Sequence, residues 1–129
     1  MAEPHFSLVK TRLDQGVLVL TVTEARLQSD SLAETLRMQL LAALGHYGVS
    51  KIVLDLQNVK ALSSSGIRPL LSLRRHVEEQ KGRLVLCGLS SVVATVLQTT
   101  RLIGSSRTSA ALYETEPDAA AAVARLNRG

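Results

Sequence analysis

The sequence has few of the residues that build disulfides, aromatic platforms or membrane spans. Its single cysteine, Cys87, excludes an internal disulfide bond, so a reducing, cytoplasmic location is expected. Phe6, Tyr47 and Tyr113 are its only phenylalanine and tyrosine residues, and it contains no tryptophan. No apolar run approaches the roughly 18 residues that cross a bilayer, and the N-terminal segment lacks the features of a signal peptide. We therefore expect no membrane span.

The net charge of +4 would by itself indicate a nucleic-acid partner. The basic residues are scattered, however, and their densest group is residues 74–76, followed by Lys81 and Arg83. So few aromatic side chains cannot form a platform on which bases stack. We interpret the positive charge as a solvated helix face and expect no nucleic-acid partner.

Hydrophobic residues form 46% of the 129 positions, enough for the core of one domain over residues 1–129. Apolar β-type runs alternate with segments of helical periodicity. The predicted strands are residues 6–13, 17–23, 51–56, 83–87 and 108–113. The predicted helices are 31–44, 64–80, a third that follows its cap Ser90, and 117–127. The short gap between the first two strands predicts a hairpin. The later strands are separated by helices, and such connections join parallel strands. The sequence predicts an α/β fold: a mixed, mostly parallel sheet with an N-terminal antiparallel hairpin, covered by about four helices.

Capping signals predict where these helices begin and end. Ser31 with Glu34 fits a capping box, and Gly45 suits the end of the same helix. Ser90 is expected to cap the third helix, whose Val92, Val93, Val96 and Leu97 are predicted to face inward. Pro117 is predicted to lie in the first turn of the last helix.

The most unusual stretch places Ser63, Ser64, Ser65 and Gly66 between a buried strand and a helix. In open α/β sheets, functional groups gather at the carboxyl ends of strands. A serine there can donate its hydroxyl to a partner or accept a phosphate, which would face the positive end of the helix. On composition alone, the alternative is that Ser63 or Ser64 is an ordinary N-cap.

The other candidate residues favour structural roles. Asp55, on an apolar strand, is expected to anchor the following loop by hydrogen bonds, and Cys87 to be a small buried hydrophobe. The three histidines, His5, His46 and His76, have no metal-ligand spacing. Neither a G-x-S-x-G elbow nor a phosphate-binding glycine loop is present. We expect no catalytic site, no metal and no cofactor.

The segments VLDLQNV (residues 53–59) and LSSSGI (residues 62–67) resemble the core signature of STAS domains, most closely the anti-sigma factor antagonists. GRLVLCGLS (residues 82–90) and the helix start EPDA (residues 116–119) are similar as well. The resemblance covers nearly the whole chain. It implies a STAS-like domain that binds an anti-sigma factor with serine-protein kinase activity when unphosphorylated and releases it when phosphorylated. A serine phosphatase is the further partner this implies.

The resemblance also implies which residue is modified. The family's phosphorylated residue lies two positions before a glycine, which here gives Ser64 and Gly66. Ser63 stands where the family has an acidic residue, so its capping role is expected to persist without the charge. Pro69 predicts either a kinked first turn or a regular helix that begins near Pro69.

The partner-binding surface is predicted to contain Ser63, Ser64, Ser65 and Gly66. Leu89 and Ser90 are expected beside them, because both loops follow adjacent parallel strands. The turn at residues 27–30 is expected to join this surface, and Ile67 is a further apolar candidate that we expect in the core. Two alternatives remain open: a STAS scaffold subunit without phosphorylation, in a sensory or transport complex, and a small-ligand sensor.

Overall fold

The computed structural model describes residues 6–100 and 113–128. Seven strands and four helices lie within these ranges. The strands are β1 (Val9–Asp14), β2 (Val17–Val22), β3 (Arg26–Leu27), β4 (Lys51–Asp55), β5 (Ala61–Leu62), β6 (Arg83–Cys87) and β7 (Glu114–Glu116). The helices are α1 (Asp30–Tyr47), α2 (Ser64–Glu79), α3 (Ser91–Thr99) and α4 (Ala119–Asn127). Within the same residues, no helix combines the length and the apolar character needed to cross a membrane.

The main sheet has the strand order β1-β2-β4-β6-β7 among the described residues. The β1–β2 hairpin is antiparallel, and every later pair in this sheet is parallel. A second, two-stranded parallel sheet joins β3 to β5. The predicted α/β fold, with its mixed, mostly parallel sheet and antiparallel opening hairpin, is confirmed.

The two faces of the sheet form separate cores because side chains alternate along each strand. On one face, α1, α2 and α3 pack over leucines and isoleucine of the central strands, including Leu20, Ile52, Leu54 and Leu86. On the other face, α4 covers a smaller cluster: Val17, Val19, Val53, Val85 and Cys87. Burying one such side chain contributes about 1.5–3 kcal/mol, so these two layers hold the strand ends that carry the candidate site.

The first helix is longer at both ends than the capping signals predict. Its N-cap is Ser29, whose hydroxyl accepts the Leu32 N–H at 3.2 Å. Its C-cap is Gly48, with a left-handed φ of 64°. The predicted capping box is absent because Ser31 lies inside the helix that Ser29 caps, and the Glu34 carboxylate pairs with Arg37. The predicted end at Gly45 is wrong because the helix continues through that residue.

The other helix boundaries give a mixed outcome. Ser90 caps α3 by accepting the Val93 N–H at 3.2 Å, as predicted. The N-cap of α4 is Asp118, which accepts the Ala121 N–H at 2.8 Å, so Pro117 precedes the helix and its predicted place in the first turn is wrong. The strand predicted at 108–113 lies outside the described residues except for Tyr113. The described strand that forms this edge of the sheet, beside β6, is β7.

Candidate functional site

The candidate site lies at the carboxyl edge of the main sheet, where β4 and β6 end side by side. Asp55, the last residue of β4, lies opposite Cys87, the last residue of β6. From there the chain runs through β5 into α2 on one side and through residues 88–90 into α3 on the other. Helix α3 contacts β5, so both loops belong to one edge.

Asp55 fixes the exit from β4. Its Oδ1 accepts the backbone N–H of Gln57 and its Oδ2 accepts the Gln57 side-chain amide, both at 3.0 Å. A Cβ added to Gly88 would lie 2.7 Å from the same carboxylate, so the two loops are in close contact. Asp55 is only 5% exposed, and both of its carboxylate oxygens accept hydrogen bonds from Gln57. Its predicted anchoring role is therefore confirmed.

Gly66 allows α2 to pack directly on β3. A Cβ at this position would lie 2.5 Å from the Leu27 carbonyl oxygen and 2.6 Å from Leu62 Cδ1. Real Cβ contacts of that length do not occur, so this approach requires glycine. The glycine therefore sets how deeply the start of α2, and the serines on it, sit against the neighbouring strand.

Ser63 occupies the N-cap position of α2 without acting as a side-chain cap. Its hydroxyl donates to the Leu27 carbonyl at 3.3 Å, and its backbone N–H donates to the same oxygen at 3.0 Å. The expected capping role is therefore wrong for the side chain. The physical reason is that the hydrogen bond to the Leu27 carbonyl, which the β3–β5 pair brings close, directs the Ser63 hydroxyl away from the first N–H groups of α2.

Of the three serines, Ser64 is the exposed one and is the first residue of α2. Ser63 and Ser65 are half-buried. Ser65 donates its hydroxyl to the Asp30 carboxylate at the start of α1. Accessibility to an incoming enzyme or partner is thus greatest at Ser64.

Asp30 also belongs to this edge, although no motif in the sequence marks it as a site residue. The turn at residues 27–30 was expected nearby, and the structure brings it there through the β3–β5 pairing. Strands of two residues leave almost no periodic signal in a sequence. The acidic charge that is missing at Ser63 is therefore present at the same edge, supplied from another element.

Pro69 lies inside α2, which runs without interruption from Ser64 to Glu79. The expectation that the regular helix begins near Pro69 is wrong. The proline removes only the N–H that would bond the Ser65 carbonyl, and its ring is buried. Helical geometry at Ser64 is therefore maintained.

The loop after β6 contains two of the predicted contact residues, Leu89 and Ser90, and both already make contacts within the domain. The Ser90 hydroxyl is engaged in capping α3, and Leu89 is half-buried against the main core. Ile67 is 8% exposed and belongs to that core. Val92, predicted to face inward, is 55% exposed in the first turn of α3 and is the large apolar side chain most available at this edge.

Cationic side chains surround the same edge. Arg68, four residues after Ser64, lies on the same face of α2 and is exposed. Arg26 on β3 and Lys60 before β5 are exposed as well, with Arg26 opposite Ala61 in the ladder. The edge thus combines serine hydroxyls, the Asp30 and Asp55 carboxylates, an exposed valine and exposed cations.

Comparison with known proteins places this geometry in a family. The STAS domain model matches residues 9–119. An anti-sigma factor antagonist from Thermotoga maritima is similar at 17% identity, covering 95% of this chain and 97% of that one, with a TM-score of 0.77. A variant of RsbS from Moorella thermoacetica is 19% identical over 95% and 97% of the two chains, with a TM-score of 0.72.

A third solved structure is similar over the same length. The phosphorylated form of SpoIIAA, a Bacillus cell fate determinant, is 19% identical over 91% of this chain and 97% of that one, with a TM-score of 0.64. The fold is therefore shared, and the family model covers most of the chain. The protein belongs to the STAS domain family.

Proposed function

We propose that the protein is a non-catalytic anti-sigma factor antagonist, switched by phosphorylation of Ser64. Unphosphorylated, it binds an anti-sigma factor that is also a serine-protein kinase. The carboxyl edge forms the contact through Ser63, Ser64, Ser65, Gly66, Leu89 and Ser90. The observation that carries the proposal is the exposure of Ser64 at the first position of α2, next to two serines that are half-buried.

The start of α2 can carry a phosphate without loss of the fold. Helix N-termini favour negative charge by about 0.3–1 kcal/mol, and Arg68 lies one turn away on the same face. The Asp30 carboxylate, held by Ser65, opposes the new charge. The modified domain is therefore expected to stay folded while the charge at its binding edge changes by about −1.5 to −2.

A bound partner is expected to tolerate the phosphate poorly. A like charge or a dehydrated phosphate in a closely packed interface costs several kcal/mol, and each 1.4 kcal/mol is a tenfold loss of affinity. Phosphorylation therefore releases the partner, and a serine phosphatase restores binding.

The test is a reaction of the protein with an anti-sigma factor kinase and ATP, followed by phosphopeptide mapping. Label on Ser64, lost in Ser64→Ala, supports the proposal. Ser91→Ala is the matched control, because Ser91 is likewise exposed and likewise the first residue of a helix. Label on Ser63 or Ser65 moves the switch by one residue.

Binding measured in the same experiment separates the alternatives. Ser64→Ala is expected to bind constitutively, and Ser64→Asp to fold normally and bind poorly. Binding without any label would contradict the switch and favour a scaffold subunit. Absence of both label and binding would overturn the proposal.

A further inference from the structure

A cavity of about 320 Å³ lies at the amino-terminal edge of the main sheet, opposite the Ser64 edge. It is open to solvent on one side and is lined by the ends of α1 and α2, the start of β4 and Gly82, the residue before β6. Helix α2 has 16 residues, which at 1.5 Å per residue separates the cavity from Ser64 by about 24 Å. Nothing in the proposed partner contact uses this cavity.

The floor of the cavity is apolar and its rim is polar. Leu44, Val49, Ile52 and Val77 supply the apolar surface, while Ser50, His76 and Gln80 supply a hydroxyl, an imidazole and an amide. Small-molecule sites combine these features: an apolar lining, a few polar groups and a volume of roughly 300 Å³ or more. A dry cavity of about 150 Å³ already holds benzene, so one ring with a short polar substituent fits here.

The charge at the cavity favours a cation. It lies at the C-termini of two helices, whose dipoles each place roughly half a negative charge there, and the carbonyls of Leu44, His76 and Val77 each already accept one backbone N–H. The lining contains no Lys, Arg, Asp or Glu among the described residues. Lys51 on β4 donates to Asn127 at 3.0 Å at the end of α4, on the other face of the sheet. Lys81, between the lining residues Gln80 and Gly82, is exposed to solvent.

We propose that this amino-edge cavity binds a small primary amine with an apolar body of about one ring. The body lies on the apolar floor, and the ammonium group donates to the helix-terminal carbonyls and to the side chains of His76 and Gln80. An anion of the same shape is disfavoured because both helix ends repel it.

The first experiment is a calorimetric and NMR titration of the full chain with benzylamine, benzyl alcohol and benzoate. We expect saturable shifts of the Gly48 and Gly82 amides, which border the cavity. Benzylamine is expected to bind about three- to tenfold more tightly than the alcohol, with benzoate weakest. Equal affinity for all three probes, or no saturable shift at these amides, would overturn the proposal.

Two variants with matched controls test the place and the charge of the site. Gly45→Leu adds a side chain where a Cβ meets nothing within 4 Å, so it should fold normally and weaken benzylamine binding about tenfold. Ala42→Leu, on the exposed side of the same helix and outside the lining, should leave binding unchanged. Equal effects of both would place the ligand elsewhere.

Gln80→Lys should weaken binding of benzylamine and strengthen that of benzoate, because it adds a cation to the rim. Glu79→Gln changes the charge of the chain by the same amount from a position outside the lining, and should alter neither affinity more than about twofold. An unchanged preference in Gln80→Lys would contradict the proposed ammonium position.

Discussion

The Ser65 hydroxyl donates to the Asp30 carboxylate across 35 positions of sequence, joining the starts of α1 and α2. This contact places a negative charge one residue from the proposed phosphorylation site. Because like charges repel, the carboxylate sets part of the cost of modifying Ser64.

Asp30→Asn is therefore expected to make a negative charge at Ser64 less costly. In a thermal or urea unfolding series, Ser64→Asp should lose about 0.5–1 kcal/mol less stability in the Asp30→Asn background than alone. Ser91→Asp provides the control, because Ser91 starts a different helix, and its effect should be additive with Asp30→Asn. If the effects of Ser64→Asp and Asp30→Asn were additive as well, the Asp30 carboxylate would have no electrostatic effect on position 64.

Gly66→Ala is expected to destabilise the domain by about 1–3 kcal/mol, because the new Cβ overlaps the Leu27 carbonyl, a backbone atom that cannot swing away. Urea unfolding measures the change. Gly45→Ala is the control: it lies inside α1 with open space around its Cβ, and it should stabilise the protein by about 0.5–1 kcal/mol. A neutral result at Gly66 would mean that α2 can move off β3 at little cost.

Val92→Arg is expected to weaken binding of the proposed anti-sigma partner by about tenfold or more without lowering stability, because it adds charge and bulk to an exposed position beside the proposed contact residues Leu89 and Ser90. Leu13→Arg is its matched control. Leu13 has the same 55% exposure but lies near the end of β1, at the opposite edge of the sheet. Equal losses from both substitutions would indicate a nonspecific effect of charge.

Burial raises the pKa of the Cys87 thiol to about 12, with the Asp55 carboxylate adding to the effect. The thiol is therefore expected to resist a disulfide reagent at pH 8 until the protein unfolds. The introduced thiol of Val92→Cys should react at once. Rapid modification of Cys87 in the folded protein would contradict the buried position.

The same shift gives stability a pH dependence. The folded pKa lies above the ordinary value of 9.0, so the contribution of Cys87 is complete below about pH 9 and is lost as the pH rises toward 12. Cys87→Val should remove that part of the alkaline decline. An unchanged profile would assign the decline to other groups.

The sequence predicted those elements whose signals are local and repeated. Leucines four residues apart marked α1, and apolar runs marked β4 and β6, because each pattern follows from burying one face or one strand. Exact helix ends were less predictable. Ser29 and Ser31 are both plausible caps, and only the tertiary path of the chain selects between them.

The candidate site shows the same limit more sharply. The serine loop was recognisable from residues 63–66 and the turn at residues 27–30 was expected beside it, but the individual contacts that Leu27 and Asp30 make with the serines were not predictable. The pairing of β3 with β5 brings Leu27 and Asp30 next to the serines. Strands of two residues are too short to give a periodic pattern that would predict this pairing. The role of the Ser63 hydroxyl and the acidic charge near Ser64 both depend on that long-range pairing.

The Leu27 carbonyl oxygen accepts two hydrogen bonds from one residue, from the Ser63 N–H and from the Ser63 hydroxyl. Opening of the serine loop breaks the bond from the Ser63 amide, so the protection of this amide hydrogen from exchange with solvent measures the free energy of loop opening. One amide thus reports on the stability of the whole edge. It needs no label, and it can be followed before and after the neighbouring serine is modified.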